Sequence, residues 1–281
     1  MREIKTSAIT ETVARLCQRA NFELGEDVLS TLKQAQQTEP SPVGKEVLSQ
    51  IIENARIARE DKLPLCQDCG TTLVFLEIGQ DVHITGGDLN SAVTDGVRRG
   101  YTEGYLRNSM VSQPFSARKN TGDNTPPVVH VEIVPGNRLR IICLPKGAGS
   151  ENMSQLAMLK PGDGQEGIID FVGRAVDEAG ANSCPPLIIG LGVGATADGA
   201  MLLAKKALLR LVGQPNSDPE VAELEKKLLS RINGLGIGPM GLGGSTTALA
   251  VHAEVRPTHI ASLPVAVSFQ CHSARHEEAI L

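Results

Sequence analysis

The chain has few aromatic residues, with no Trp, two Tyr and five Phe among 281 residues. Its core must therefore be built from Leu, Ile, Val and Ala. A mass of 29.7 kDa is enough for one large domain or two closely associated ones, and we expect a single domain over residues 1–281. A net charge of −5 argues against nucleic-acid binding. No window approaches the roughly 18 apolar residues of a membrane span, and the start Met1-Arg-Glu-Ile-Lys-Thr lacks signal-peptide features. We therefore expect a cytoplasmic protein that does not bind a membrane.

Internal repeats and flexible linkers are also absent, and the apolar spacing switches between helical and strand-like segments. Residues 1–62 predict a helical N-terminal layer, and a further helix is predicted from Asp88 to about Arg107. Alternating runs at 128–134 and 139–144 predict a hairpin, and another helix is predicted over 151–159. We expect an α/β fold, in which helices cover a mixed sheet.

Six cysteines without a secretion signal indicate thiol, metal or redox chemistry rather than a disulfide framework. Cys66, Cys184 and Cys271 each adjoin a β-like apolar run, so each could end a strand and point into a shared cavity. Thiolates are the ligands of iron–sulfur clusters, and three thiolates on four irons leave one iron open to a substrate. The alternative is a small buried hydrophobic residue, which is our interpretation of Cys17 and Cys143.

Two further motifs match known sites only superficially. Cys66 and Cys69 have thioredoxin spacing, but a β-rich run follows where that site needs a helix, and zinc would need a second close pair of cysteines. Gly190, Gly192 and Gly194 follow a strand and open a helix, but the second strand and acidic residue of a dinucleotide site are missing. We interpret these glycines as positions where strand and helix pack closely.

Three other features suit an acid substrate. The segment 146–152 runs into a helix whose N-terminal N–H groups would bind a carboxylate, with added charge from Lys146, or it is an ordinary N-cap at Ser150. Asp68 and His259 are candidates for a proton-transferring pair. Arg107 is either a carboxylate clamp or a surface charge.

Five segments, in order along nearly the whole chain, resemble the α subunit of the oxygen-sensitive iron–sulfur fumarate hydratases. They are Leu65-Cys-Gln-Asp-Cys-Gly, Asn120-Thr-Gly-Asp-Asn-Thr-Pro126, Lys146-Gly-Ala-Gly-Ser-Glu-Asn152, Asn182-Ser-Cys-Pro-Pro and Gln270-Cys-His. The spacing of the three cysteines also fits that family. Cys69 is the one visible departure, since the family usually has Thr there.

The resemblance implies a [4Fe–4S] cluster held by Cys66, Cys184 and Cys271, whose open iron acts as a Lewis acid in the reversible hydration of fumarate to (S)-malate, a step of the tricarboxylic acid cycle. Substrate contacts are implied at Gln67, Asp68, Arg107 and Gly149, and we expect Lys146 to bind the substrate as well. Asp68, partnered by His259, is expected to protonate the departing hydroxide.

The chain stops at Leu281, just past the third cysteine, whereas single-chain relatives continue into a second domain. The resemblance therefore implies a β subunit that supplies the remaining carboxylate-binding residues and the base, in an α2β2 heterotetramer. Tartrate and mesaconate dehydratases are alternatives within the family, and the 146–152 segment favours fumarate over tartrate. An alternative of another class is a non-catalytic electron-transfer protein, with Cys69 or Cys143 as fourth ligand.

Overall fold

The computed structural model describes residues 2–281, which form both helices and strands, so the predicted mixed α/β class is confirmed. The α-helices are α1 Thr6–Phe22, α2 Glu26–Thr38, α3 Pro42–Asp61, α4 Leu89–Glu103, α5 Ala148–Glu151, α6 Gly164–Ala179, α7 Ala197–Ala207 and α8 Pro219–Asn233. The strands are β1 Arg2–Lys5, β2 Thr71–Gly79, β3 Val82–Thr85, β4 Val128–Val134, β5 Leu139–Lys146, β6 Gln155–Leu159, β7 Leu187–Ala195, β8 Ala248–Thr258, β9 Leu263–Gln270 and β10 Glu277–Ile280. No helix in residues 2–281 has both the length and the hydropathy that crossing a bilayer requires.

The chain folds into two compact units, each assembled from separate stretches of sequence. Unit 1 comprises residues 2–24, Ala55–Ala148 and Arg275–Leu281, and unit 2 comprises Gly25–Asn54 and Gly149–Ala274. The division falls inside α3 and directly after Ala148. Helix α1 therefore belongs to unit 1 and α2 to unit 2, while the single domain over 1–281 with a helical layer over 1–62 stays a prediction.

Unit 1 is built around a four-stranded sheet in the order β10-β5-β2-β4. Strand β2 lies parallel to β4 and antiparallel to β5, so it separates the two segments predicted to form a hairpin. That hairpin prediction is wrong. Most of β2 is buried, and a buried strand has to pair its backbone N–H and C=O groups along both edges.

The core of unit 1 lies between this sheet and the helices α1 and α4. Its apolar side chains include Val13 from α1, Val97 from α4 and Ile141 from β5. Cys17 and Cys143 are fully buried in the same cluster, as predicted for small hydrophobic residues. The core contains no Trp and is filled mainly by Leu, Ile and Val, which confirms the expectation from composition.

Unit 2 contains a second four-stranded sheet, in the order β6-β9-β7-β8. Strand β7 runs parallel to β8 and antiparallel to β9, and β6 pairs antiparallel with β9 at the edge. The helix predicted over 151–159 is wrong, because Gln155–Leu159 forms the edge strand. Leu156 and Met158 alternate with less exposed neighbours, which is the two-residue period of a strand.

Helices cover both faces of the unit 2 sheet, with α6 and α8 on one face and α7 on the other. Helix α7 lies so close to β7 that a Cβ on Gly190 would lie 2.0 Å from the Ala204 carbonyl oxygen. A Cβ on Gly192 would lie 2.0 Å from the Ala200 carbonyl oxygen. These contacts confirm the interpretation of both glycines as packing positions.

Substituting Gly192→Ala should lower the free energy of unfolding by about 3 kcal/mol, because the new Cβ overlaps a helix carbonyl and forces α7 off the sheet. Gly173→Ala is the matched control, since a Cβ there meets no atom within 4 Å. The control should raise the free energy of unfolding by about 0.5–1 kcal/mol through helix propensity. Denaturant titration measures both, and equal stabilities for the two variants would contradict the packing argument.

Candidate functional site

Cys66, the first predicted ligand, lies in the unit 1 loop between α3 and β2. Its side chain is partly exposed, and its Sγ accepts a hydrogen bond from the Asp68 backbone N–H at 3.4 Å. The exposed Gln67 places its Oε1 3.5 Å from the same sulfur. The partly exposed thiol is accessible to a metal ion, which cysteine binds as the thiolate.

Cys69 differs from Cys66 because it points into the unit 1 core and is 1% exposed. Its Sγ accepts a hydrogen bond from the Arg107 backbone N–H at 3.2 Å. Burial raises the pKa of the Cys69 thiol, although that hydrogen bond acts in the opposite direction. A buried thiol that resists ionisation is a poor ligand, so these surroundings favour Cys66 as the metal-binding residue.

The Asp68 carboxylate joins this loop to Ala148, the first residue of α5. Its Oδ1 accepts a hydrogen bond from the Gly70 N–H at 2.9 Å, and its Oδ2 accepts one from the Ala148 N–H at 2.7 Å. The Ser109 hydroxyl donates to Oδ1 at 3.4 Å. The Arg275 guanidinium donates to the Asp68 carbonyl oxygen. Both the side chain and the backbone of Asp68 are therefore held in place.

The three predicted substrate contacts of unit 1 differ in accessibility. Gln67 and Arg107 are exposed, so their side chains can contact a dissolved carboxylate. Arg107 lies beyond the end of α4 at Glu103 rather than on the predicted helix, because the chain leaves the helix at Gly104. Lys146 is the last residue of β5 and is only 2% exposed, so its side chain does not face solvent.

Sequence reasoning missed three buried residues that support the loop. Asn124 donates from Nδ2 to the Gly70 carbonyl oxygen at 3.0 Å, and its Oδ1 accepts from the Ser109 N–H at 2.7 Å. Tyr101 donates its hydroxyl to the Cys69 carbonyl oxygen at 2.6 Å, and burial raises its pKa. Asn124 lies in a segment quoted above, whereas no spacing in the sequence indicates Tyr101 or Arg275.

Cys184 and Cys271 lie at one end of the unit 2 sheet. Cys184 ends a short turn before β7 in the left-handed conformation, with φ 55°, and Cys271 directly follows β9. The antiparallel register places Ile188 opposite Gln270, so the two cysteines share a sheet end. The Cys184 carbonyl oxygen accepts a hydrogen bond from the His272 N–H at 3.2 Å. Two of the three predicted ligands are therefore neighbours.

Gly149 lies at the same sheet end, because a Cβ built on it would meet the Asn182 carbonyl oxygen at 3.0 Å. The predicted carboxylate site at a helix N-terminus is weaker than expected, however. Helix α5 has only four residues, too few to build an appreciable dipole. In addition, the Ala148 N–H already donates to Asp68.

The structure does not bring His259 together with Cys184 and Cys271. His259 follows the last residue of β8, whose Thr258 lies opposite Ala195 at the far end of β7. The eight residues of β9 separate the two ends of the sheet by roughly 26 Å. His259 is exposed in a tight turn, where its Nδ1 accepts a hydrogen bond from the Ala261 N–H at 3.1 Å.

Glu39, directly after α2, holds the Gly-rich loop that precedes β8. Its carboxylate accepts hydrogen bonds from the N–H and hydroxyl groups of Ser245 and Thr246, the shortest being 2.6 Å from Thr246 Oγ1. Burial alone would raise the pKa of Glu39, but these hydrogen bonds lower it below the usual value. The same loop contacts the residues that follow Cys184, because the Met240 N–H donates to the Pro185 carbonyl oxygen at 2.8 Å.

The chemistry of the predicted ligands fits an iron–sulfur cluster. All six cysteines are thiols, and Cys66, Cys184 and Cys271 are the three that are partly exposed. Soft thiolates suit iron–sulfur clusters, whereas harder oxygen ligands suit other ions. Across residues 2–281, no set of three or more His, Cys, Asp or Glu side chains is already gathered as a metal site.

Comparison with known proteins gives a match to the family described as Fumarate hydratase (Fumerase) over residues 10–280. A Methanocaldococcus jannaschii protein, provisionally named L(+)-tartrate dehydratase subunit alpha, is 45% identical over 273 residues, which cover 95% of each chain. The L(+)-tartrate dehydratase subunit alpha of Escherichia coli (strain K12) is 32% identical over 270 residues, which cover 95% of this chain and 88% of the relative.

Replacing Glu39 with Gln should lower the free energy of unfolding by about 2 kcal/mol at neutral pH, because an amide NH2 would face N–H donors. The folded-state pKa of Glu39 lies below its usual value of 4.5. The stability that the Glu39 carboxylate contributes is therefore fully present above pH 4.5, the usual pKa of the group, and is lost as the pH falls through the lower folded-state pKa. The free energy of unfolding of Glu39→Gln should therefore fall less on acidification than that of the parent chain.

Urea titrations of both proteins across the acid range measure this difference. Exposed Glu223 supplies the control, since Glu223→Gln should match the parent chain within about 0.5 kcal/mol. A Glu39→Gln protein as stable as the parent at neutral pH would contradict the structural role of this carboxylate.

Proposed function

The chain belongs to the iron–sulfur fumarate hydratase family, as the α subunit of a hydro-lyase, and on that premise we propose that its reaction is the reversible hydration of fumarate to (S)-malate. The observation that carries this proposal is the family match over residues 10–280 together with three partly exposed thiols. A redox or electron-transfer role would not need the carboxylate-binding groups that we propose at Gln67 and Arg107.

Family membership implies an iron–sulfur cluster, and we propose the [4Fe–4S] type with Cys66, Cys184 and Cys271 as its ligands. When bound, the cluster would supply a Lewis acid that polarises the hydroxyl group of the substrate. Cys69 is not included, because its thiol is buried and its pKa is raised.

Gln67 and Arg107 are proposed to hold the dicarboxylate. Arg presents a planar fork that matches a carboxylate, and the exposed Gln67 offers an amide donor. Removing a proton next to a carboxylate builds negative charge on that group, so fixed cations and donors there lower the barrier. Lys146 is almost fully buried, and we propose that it contributes positive potential rather than a solvent-facing contact. Gly149 stays a proposed contact of the substrate.

Asp68 is the proposed proton donor to the departing hydroxide. Its carboxyl group is held by backbone N–H groups and the Ser109 hydroxyl, with Arg275 on its carbonyl oxygen. In its protonated form it would therefore keep the proton at a nearly fixed position relative to the substrate, and donating that proton would leave the carboxylate. His259 is left out of this step because it lies at the end of the unit 2 sheet away from Cys184 and Cys271.

The subunit-alpha names of the relatives imply a β subunit as partner. We propose that the β subunit supplies the base and the remaining carboxylate-binding residues, in an α2β2 assembly. The site on this chain alone offers few cations for two carboxylate groups, which supports a second contributor.

Dehydration of L(+)-tartrate is the second candidate reaction, and the names of the relatives favour it. Both substrates are four-carbon dicarboxylates that exchange water across adjacent carbons, so the same groups could serve either. An additional hydroxyl on tartrate would need its own hydrogen-bond partner.

Single Cys→Ser substitutions at positions 66, 184 and 271 should each reduce the bound iron and sulfide and lower hydro-lyase activity at least about 100-fold, because each removes one ligand of the cluster. The αβ complex should be purified without oxygen for these measurements. Cys69→Thr is the control, and it should keep both the cluster and the activity. Cluster loss in Cys69→Thr with retention in Cys66→Ser would reverse the ligand assignment.

Anaerobic assays of the αβ complex should give a kcat/KM at least about tenfold higher for fumarate than for L(+)-tartrate, because no group that we propose on this chain is assigned to the second hydroxyl of tartrate. Mesaconate serves as a methyl-substituted comparison. The reverse preference would assign the chain to tartrate dehydration, and activity on none of the three would contradict a hydro-lyase function for this complex.

A further inference from the structure

Two of the seven aromatic side chains are strongly exposed, and both lie between α4 and β4. Tyr105 is 93% exposed and Phe115 is 87% exposed, whereas the other aromatic side chains are buried or half-buried. In a chain with only two Tyr and five Phe, leaving two of them in water gives up apolar burial that the core could use. Exposed aromatic residues are typical of protein interfaces, where they contribute much of the binding energy.

Phe115 lies at the tip of an ordered hairpin-like projection, residues 110–121, which we call the arm. Val111 and Asn120 form an antiparallel bridge, and the Ser112 N–H donates to the Lys119 carbonyl oxygen at 2.8 Å. Near the tip, the Arg118 N–H donates to the Gln113 carbonyl oxygen at 3.1 Å. The arm is therefore held in one conformation by its own backbone, so little conformational entropy is lost when it binds.

The root of the arm is fastened to the loop that carries Cys66. Asn108 donates from Nδ2 to the Gly122 carbonyl oxygen at 2.8 Å, which closes the base of the arm. The adjacent Ser109 donates its hydroxyl to Asp68, and Asn124 donates to the Gly70 carbonyl oxygen. A protein bound to the arm would therefore sit beside the candidate site.

The arm is basic on an acidic chain. Residues 110–121 contain Arg118 and Lys119 and no Asp or Glu, while the whole chain has a net charge of −5. Both cations are exposed next to the aromatic tip. This combination would fit an apolar pocket with an acidic rim.

We propose that the arm is a docking element for the β subunit, with Phe115 inserted into an apolar pocket and Arg118 and Lys119 against acidic side chains. The proposal rests on the proposed function only in requiring a β partner. Binding at the arm would place the partner next to Asp68 and Arg107, where an incomplete site needs it. A second copy of this chain is the other possible occupant.

The test uses the αβ complex that shows hydro-lyase activity, titrating the α chain with its β subunit and measuring Kd by activity and by sedimentation. Phe115→Ala should raise Kd at least about tenfold, because it removes the anchor side chain. At saturating β subunit, kcat should stay within about twofold of the parent, since Phe115 has no part in the chemistry. Ile260→Ala is the matched control, an exposed apolar residue of unit 2, and should leave Kd unchanged.

Salt dependence tests the charges independently. Raising NaCl from about 50 to about 500 mM should weaken parental binding several-fold through screening, and the double substitution Arg118→Gln and Lys119→Gln should reduce that dependence. Unchanged Kd for Phe115→Ala, in a variant that keeps the parental unfolding midpoint, would overturn the proposal while leaving the proposed function intact. Loss of self-association of the α chain, without any effect on β binding, would also overturn it and identify a second copy as the occupant.

Discussion

The hydrogen bonds that the Asp68 carboxylate accepts from Gly70 and Ala148 fix the loop that carries Cys66. That loop has no regular secondary structure, so side-chain hydrogen bonds rather than a helix or strand hold the thiol in position. Gly70 is required as well, because its φ is +75° and a Cβ would lie 2.7 Å from the Lys146 backbone. The unit 1 site therefore depends on one carboxylate and one glycine, with buried Tyr101 bracing the loop from α4.

In unit 2, the positions of Cys184 and Cys271 are set by the pairing of strands in the sheet. Because β7 and β9 are antiparallel neighbours, the start of β7 and the end of β9 lie at the same end of the sheet. Cys184 and Cys271 are brought together there. Close packing of α7 on Gly190 and Gly192 supports the centre of this sheet. Glu39 anchors the loop that contacts the turn before β7. The thiols are thus positioned by elements that are themselves rigid.

The two units position their groups in different ways, and both ways suit the reaction proposed for this chain. Buried or hydrogen-bonded groups hold the thiols and Asp68 in place, while Gln67 and Arg107 remain exposed to solvent. Preorganised donors act on developing charge without reorganising during the reaction. The arm places an exposed aromatic and basic surface next to the loop that carries Cys66. Residues at the root of the arm donate hydrogen bonds to Asp68 and Gly70 of that loop. Hydrogen bonds therefore connect the proposed partner contact to the candidate site.

The sequence alone determined the α/β class, helix α4 and the burial of Cys17 and Cys143, because apolar periodicity reports which side of an element faces the core. The family was indicated by the five segments that resemble its motifs. Only the tertiary structure decided which strands pair: β2 separates β4 from β5, and residues 155–159 join β9 as an edge strand. It also decided that His259 lies far from Cys184 and Cys271 and that Asn124, Tyr101 and Arg275 support the Cys66 loop. Strand partners and buried hydrogen bonds join residues distant in sequence, so a local pattern carries no record of them.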